Sequence, residues 1–317
     1  MTSTTRSSTP RQPPHPATPP RTEVLGTVLR SARRDGVPIR KSFVQQGRGR
    51  ANTKPGPLAG LVRRGDVRAL DAYLLLHAAA SAAPWDCTWP SDTWVHLLDL
   101  TRSTTGGSTK AAVSKVFARL SKTHNLVEVA RVGRRSSVVL LREDGTGAPY
   151  SRPVTKEDPW FTLPHSYFLK GYDTSLSLSA KAMLLVTLHL KDGAWLPSEY
   201  SREWFGISPT TARAGLAELI EQGLVAETRD YVPDLKSPTL WAEKVSYRRA
   251  GAMRVRKGRP SSTTATKGKT ALIPPPKKAV RGGRGKTVLP RAGDASGSSR
   301  PSAPRGSKSR TNKPRES

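Results

Sequence analysis

Cations and hydroxyl groups gather in residues 109–122, a stretch that contains no acidic residue. The polar candidates in this stretch are Thr109, Lys110, Ser114, Lys115, Arg119 and Lys122. Cations supply affinity for phosphate groups, and Lys, Arg, Ser and Thr side chains near the start of a helix can also reach base edges. Three further cations follow: Arg131, Arg134 and Arg135. These residues are candidates for contact with a polyanion, and the alternative is a solvated cationic surface.

An apolar pattern predicts the helix that would position these side chains. Its members recur at i, i+3, i+4 and i+7, which is typical of one buried helix face: Val113, Val116, Phe117 and Leu120. We expect Ser108 to cap this helix and Asn125 to end it. Two strands, 126–132 and 137–142, would then form a hairpin beside the helix, with residues 133–136 as its turn.

The surrounding pattern occurs twice in the chain. The run PSDTWVHLLDL, Pro90–Leu100, aligns without a gap with PSEYSREWFGI, Pro197–Ile207. Each run follows an apolar helix, with His77 and His189 at matching places, and each precedes a short amphipathic helix and a Leu-Val pair. We expect both histidines to pack in or beside the core. A repeat of about a hundred residues indicates two similar domains rather than a solenoid.

Capping and breaking residues predict where the other helices begin and end. In the first copy, Asp66 would cap a helix that ends before Pro84, and Ser91 would cap a second helix through Leu100. In the second copy, the corresponding helices are predicted at 179–191 and 198–205.

The second copy has its own candidate third helix, PTTARAGLAELIEQGLV. Its apolar stripe is Ala212, Gly215, Leu216 and Leu219, and its small members would let the second helix cross closely. Ser208 followed by Pro209 predicts its start, and Gly223 predicts its end. The stretch resembles the recognition helix of GntR-like and related bacterial winged-helix regulators, and the repeated unit resembles a winged helix-turn-helix. The resemblance implies DNA-groove-facing positions at Thr210, Thr211, Arg213 and Ala214.

The two copies differ in charge. The third helix of the second copy carries one cation, Arg213, and two carboxylates, Glu218 and Glu221. The predicted wing tip of that copy, PDLKSP, has one Lys and one Asp. Anions near phosphates repel them, so we expect the first copy to be the stronger DNA reader. The second copy would read DNA weakly, dimerise or bind a protein.

The net charge of +29 is concentrated at the two ends. Residues 1–57 hold 11 Lys+Arg and 2 Asp+Glu, residues 251–317 hold 18 and 2, and the middle holds 24 and 20. Both ends are poor in large apolar residues, so we expect two disordered basic arms, with one short segment at 22–32 that could form a transient helix. Such arms seek a polyanion, most often nucleic acid, or act only as solubilising tails. The C-terminal arm also contains a segment that resembles an AT-hook core and would enter a narrow minor groove: Arg256, Lys257, Gly258, Arg259 and Pro260.

Several classes of protein are disfavoured by the sequence. A single cysteine, Cys87, rules out a disulfide within the chain and argues against a cysteine-ligated zinc site. The histidines form no metal-ligand spacing, and no Gly-x-Ser-x-Gly elbow occurs. No stretch is apolar enough to span a bilayer, and the first 20 residues lack the apolar core of a signal peptide. We expect a cytoplasmic, nucleoid-associated protein that is not an enzyme and has no cofactor, metal, membrane partner or small-molecule effector.

The expected fold is α+β and mostly helical, with two tandem winged helix-turn-helix domains flanked by disordered basic arms. The predicted domains are 58–143 and 160–250, joined by a linker at 144–159. Such a chain would bind double-stranded DNA as a transcription regulator or as a replication initiator of a plasmid or similar element, because such initiators resemble two winged helices in tandem. A homodimer remains open. The alternative is a nucleoid-associated or scaffolding protein that binds DNA mainly through its arms.

Overall fold

The structure, a computed structural model, describes residues 18–30, 36–47, 52–100, 108–132, 135–196 and 198–254. Within these ranges the chain is α+β, with ten α-helices and ten strands in small antiparallel sheets. The α+β expectation is therefore confirmed.

A folded N-terminal segment precedes the two repeats. Its elements are α1 Arg21–Arg30, β1 Gly36–Arg40, β2 Gln45–Gln46, β3 Lys54–Pro55 and α2 Pro57–Arg63. The prediction that residues 1–57 form a disordered arm is wrong for the described part of that range. Pro, Ser and Thr are frequent in this range, so its composition is poor in apolar residues. The few apolar side chains nevertheless pack in the core: Leu25, Leu29, Val37, Ile39, Phe43 and Val44. Residues 1–17 lie outside the described ranges.

The first repeat consists of six elements in order: α3 Val67–Ala79, β4 Asp86–Cys87, α4 Ser91–Leu97, α5 Thr109–Lys122, β5 Val127–Val132 and β6 Arg135–Leu140. Its sheet has the strand order β4-β6-β5. The β5–β6 register pairs Val127 with Leu140 and Arg131 with Ser136. The short strand β4, which follows the first helix, thus pairs with β6, the second strand of the hairpin after the third helix.

The second repeat has the same order of elements after a short lead-in. The lead-in is β7 Trp160–Pro164, α6 Ser166–Leu169 and α7 Tyr172–Ser175. The repeat itself is α8 Leu178–His189, β8 Ala194–Trp195, α9 Ser201–Phe205, α10 Pro209–Glu221, β9 Val225–Pro233 and β10 Trp241–Arg249. Its sheet order is β8-β10-β9, which matches the first repeat strand for strand.

The third helices form where their stripes predict them. All four stripe residues of α5 are buried, and so are the four of α10. Asn125 adopts a left-handed backbone (φ 54°) after α5, as predicted. Ser208 Oγ accepts the Thr211 amide at 3.1 Å, Pro209 begins α10, and Gly223 follows it with φ 65°. Burial and capping therefore fix both helices locally.

The predicted caps of the first repeat are wrong in detail. Asp66 stands at the N-cap of α3, but its side chain makes no capping hydrogen bond. Ser91 is the first residue of α4 rather than its cap, and Ser108 precedes α5 without a side-chain cap bond. The first helix ends at Ala79, several residues before Pro84, which was predicted to stop it. The carboxylate of Asp66 instead binds Arg119 and His124.

Gly215 marks a close helix crossing, although with a different partner from the one predicted. A Cβ atom at this position would lie 2.3 Å from the carbonyl oxygen of Ser179. Ser179 belongs to α8, so α10 crosses the first helix of its repeat rather than the second. Only a residue without a side chain permits backbones to approach this closely.

One hydrophobic core extends through the N-terminal segment and both repeats. Strand β1 pairs antiparallel with β7, from Gly36 opposite Pro164 to Arg40 opposite Trp160. The buried Arg40 guanidinium binds Glu143 at 2.5 Å and Asp158 at 2.7 Å, which holds the predicted linker against the fold. The predicted division at 144–159 into two domains stays a prediction, and the described halves share their interior.

Candidate nucleic-acid interface

The outer face of α5 carries most of the predicted contact residues of the first repeat. Lys110, Ser114 and Lys115 are exposed, and Thr109 is half-buried at the first turn. Lys110 Nζ lies 3.0 Å from an Asp92 carboxylate oxygen, and both side chains are well exposed. An exposed ion pair of this kind contributes little to stability. These side chains are therefore held out to solvent by a helix whose other face is fixed in the core.

The hairpin beside α5 carries two further predicted residues. Arg131 on β5 and Arg135 on β6 are both exposed. The register pairs Arg131 with Ser136 and Val132 with Arg135, so the two arginines lie at the same end of the hairpin on opposite faces. Arg134 lies outside the described residues, as do the minor-groove candidates at 256–260.

Arg119, predicted as a DNA contact, is tied to the fold. Its Nη1 lies 2.7 Å from Asp66 Oδ1, and His124 Nε2 lies 3.0 Å from Asp66 Oδ2. Asp66 is buried, while 62% of the Arg119 side chain is exposed. The ion pair therefore connects the outer face of α5 to the start of α3. We call this contact the α3 tether.

The second repeat has a tether at the same place. Glu218 on α10 accepts hydrogen bonds from the backbone amide of Ser177 at 2.8 Å and from the Ser177 hydroxyl. Ser177 is the N-cap of α8, and its hydroxyl also accepts the Ala180 amide at 3.1 Å. We call this contact the α8 tether. Sequence reasoning treated Arg119 and Glu218 only as surface charges, because their partners precede them by 41 residues or more.

The predicted contact residues of α10 divide into two groups. Thr210 and Arg213 are exposed, and Arg213 Nε reaches the Pro209 carbonyl at 3.4 Å. Thr211 is half-buried, and its hydroxyl lies 2.8 Å from that of Ser208 within the helix cap. Thr210 and Arg213 are thus available to a partner, whereas Thr211 already takes part in capping.

The second hairpin presents a surface of mixed charge that is partly apolar. The Arg229 guanidinium lies 2.5 Å from Glu227 and 3.1 Å from Glu243. Large apolar side chains are exposed toward the tip: Tyr231, Val232, Leu235, Leu240 and Trp241. Lys236, Lys244 and Arg248 are also exposed on this hairpin, so its cations are mixed with carboxylates, whereas Glu128 is the one acidic residue among the described residues of the first hairpin.

The matching histidines are core residues, as predicted. His77 and His189 are buried. Burial, together with the nearby Arg40, lowers the pKa of His77 to about 3. Burial and the nearby Lys41 lower the pKa of His189 to about 4. Both rings are therefore neutral near pH 7 and add no charge to the surface.

Within the described ranges, no three His, Cys, Asp or Glu side chains come together as a metal site requires. None of the helices in those ranges is long and apolar enough to cross a membrane.

Comparison with family models, with curated proteins and with solved structures finds no match to this chain.

Proposed function

We propose that this chain is a non-catalytic, double-stranded DNA-binding protein in which each repeat is a winged helix-turn-helix. The helix–strand–helix–helix–strand–strand order of both repeats supports this reading. So does the pairing of the short strand with the outer strand of the hairpin in both sheets. In this reading α5 and α10 are the recognition helices, and the β5–β6 and β9–β10 hairpins are the wings.

The observation that carries the proposal is the outward face of α5. Lys110, Ser114 and Lys115 project from it, while Val113 and Phe117 anchor the opposite face. A helix of 14 residues with exposed cations along its outer face fits the major groove of B-DNA. Arg131 and Arg135 would then meet phosphates beside the groove.

The biological role that we propose is transcription regulation or initiation of replication of a plasmid or similar element. The described residues consist of the two repeats and the N-terminal segment packed into their core, which favours an initiator over a regulator with a separate effector domain. Mapping of bound sites across the genome distinguishes the two roles. One cluster beside a replication origin indicates initiation, and sites at promoters indicate regulation.

The proposal is tested on the full chain by removing two cations from α5. In Lys110→Ala/Lys115→Ala, duplex binding should weaken by about 1–3 kcal/mol, because base and phosphate contacts are lost. The matched control is Arg63→Ala/Arg64→Ala, which removes two exposed cations at the end of α2. Fluorescence anisotropy with a selected duplex and a scrambled duplex gives both affinities, and thermal melts check the fold.

Each outcome of this experiment has a definite meaning. A loss of duplex affinity in the α5 variant alone supports the assignment of α5 as a recognition helix. Equal affinity of both variants and the parent, or no preference between the two duplexes, would instead favour the architectural alternative, in which the basic arms dominate.

A further inference from the structure

A second cationic groove lies at the base of the second repeat, away from the α5 face. It has a volume of about 480 Å³ and is formed where β7 meets the ends of α8 and β10. The charged residues and two of the rings in its lining are Lys41, Trp160, His189, Asp192, Arg249 and Arg254. Lys41 comes from the N-terminal segment, which the sequence alone did not connect to this region.

Two of the three cations that line the groove, Lys41 and Arg254, are not neutralised by a carboxylate of the described residues. Asp192 is the single acidic lining residue, and it accepts from the backbone amide of Arg249 at 2.8 Å and pairs with Arg249 Nε at 3.4 Å. No ion pair within the described ranges involves Lys41 or Arg254. Burial, and then the charges of Arg249 and Lys191, lower the pKa of Lys41. Cations gathered at this density favour an anion between them.

The position of Lys41 is fixed by the fold. Its backbone amide donates to the Pro159 carbonyl at 2.9 Å, directly after the last β1–β7 pair, Arg40 with Trp160. The side chain is half-buried. The ammonium group is therefore presented from a paired strand end and not from a free loop.

One wall of the groove is aromatic. Strand β7 alternates, with Phe161 and Leu163 in the core and Trp160 and Thr162 partly exposed on the other side. The neutral ring of His189 lines the same groove. An indole face beside uncompensated cations is the combination that binds a base together with its phosphate.

The size of the groove restricts the form of such a ligand. A volume of about 480 Å³ lies in the range of small-molecule sites and suits one nucleotide unit. Bases in a duplex are stacked on their neighbours and do not present a face to a side chain, whereas unpaired bases do.

We propose that this groove binds a nucleotide unit with an unpaired base, with the phosphate held by Lys41 and Arg254 and the base against Trp160. The site is separate from the duplex-binding face of α5 and does not depend on it. The nucleotide unit can be a free nucleotide or part of a single strand, since both present the same chemistry.

The test uses the full chain and a thymidine oligonucleotide that carries one 5-iododeoxyuridine. Irradiation followed by peptide mapping should place a cross-link on the peptide that contains Trp160. In Lys41→Gln/Arg254→Gln, this cross-link should fall about tenfold, because the phosphate contacts are lost. The matched control, Arg63→Gln/Arg64→Gln, removes the same charge from α2 and should retain the parent yield. Mapping by position separates this site from binding by the basic tails.

Further arms separate the sources and guard against loss of fold. Competition by excess thymidine monophosphate indicates that a free nucleotide fills the groove, and its failure indicates that a strand is needed. Lys41→Arg/Arg254→Lys should restore the cross-link, and melts of the variants should match the parent. The proposal is overturned if no cross-link maps to Trp160, if both double variants cross-link equally, or if the iodinated base cross-links equally within a duplex.

Discussion

The helices α5 and α10 are built alike but carry opposite charges. When their buried stripes are aligned, Phe117 corresponds to Leu216, and two cations on α5 correspond to two carboxylates on α10: Arg119 with Glu218, and Lys122 with Glu221. The hairpins differ in their carboxylates. Glu128 is the one acidic residue among the described residues of the first hairpin, whereas the second has four, two of which bind Arg229: Glu227, Asp230, Asp234 and Glu243.

The tethers show which charges the fold requires. Arg119 binds the N-cap residue Asp66 of α3, and Glu218 binds the N-cap residue Ser177 of α8. Both repeats make a polar contact at this place, one through a cation and the other through a carboxylate. A cation at a tether is therefore poor evidence for phosphate binding. Lys115, which has no such partner among the described ion pairs, is better evidence.

The largest expected effect tests whether the two repeats can be compared as separate bodies at all. Lys181 Nζ on α8 lies 2.7 Å and 2.8 Å from the carboxylate oxygens of Asp71 on α3, and Lys181 is buried. Lys181→Met would leave Asp71 without its partner and should cost about 3 kcal/mol of unfolding free energy. Chemical denaturation of the full chain should show one shifted transition.

The double variant Asp71→Leu/Lys181→Met is the control for this pair. It should recover most of the loss, because two apolar side chains replace a buried ion pair without leaving a charge behind. Two separate transitions in the parent, with only one of them shifted by Lys181→Met, would show that the repeats unfold independently.

A smaller effect sharpens the difference in helix packing. Gly215 occupies the place of Val116 in the aligned stripes. Gly215→Ala gains helix propensity of about 1 kcal/mol, but its Cβ would lie 2.3 Å from a backbone oxygen of α8. We expect the clash to dominate and to cost a net of about 1–3 kcal/mol, measured by denaturation. A higher melting temperature would mean that α8 and α10 can move apart freely.

The buried histidines test a property that the repeats share. Burial lowers the pKa of both rings in the folded chain, to about 3 for His77 and about 4 for His189. Below pH 6.5 the unfolded chain therefore binds protons at these rings and the folded chain does not. Stability supplied by the neutral rings is therefore lost as the pH falls from 6.5 toward those values. We measure the difference in unfolding free energy between each variant, His77→Asn or His189→Asn, and the parent. This difference should shrink by about 1–2 kcal/mol between pH 7 and pH 5, because only the parent loses the stability of the neutral ring. A difference that stays constant for one variant would show that the ring replaced in it is protonated in the folded state.

The smallest effect separates tethers from DNA contacts. Arg119→Gln and Glu218→Gln should each lower the unfolding free energy by about 0.5–1 kcal/mol, since one partner of each pair is exposed. Arg119→Gln should leave the salt dependence of duplex binding unchanged. A fall in the salt slope by about 1 would assign Arg119 to a phosphate instead.

Sequence patterns predicted the parts of the fold that are local. The stripes of α5 and α10, the Ser208 cap and the left-handed Asn125 depend on residues within one or two helical turns. Strand β1 and the packing of the N-terminal segment into the core were missed because the apolar residues of this segment have distant partners, as β1 does in β7. Strands β4 and β8 have two residues each, which is too short for a periodic signal.

The candidate site was predictable to the same extent. The exposed face of α5 follows from the stripe, because the remaining positions of the helix must face outward. The tether role of Arg119 and the groove around Lys41 were not predictable, since each combines residues that are far apart in the sequence and meet only in the folded core.

One matched pair of substitutions tests the central claim, that the first repeat is the stronger DNA reader. Lys115→Ala and Arg213→Ala each remove one exposed cation from a third helix of the full chain. Binding to one selected duplex is measured by anisotropy across a salt series. We expect Lys115→Ala to cost about 1 kcal/mol or more and to lower the salt slope by about 1, and Arg213→Ala to cost less than about 0.5 kcal/mol. A loss for Arg213→Ala equal to or larger than that for Lys115→Ala would contradict the account.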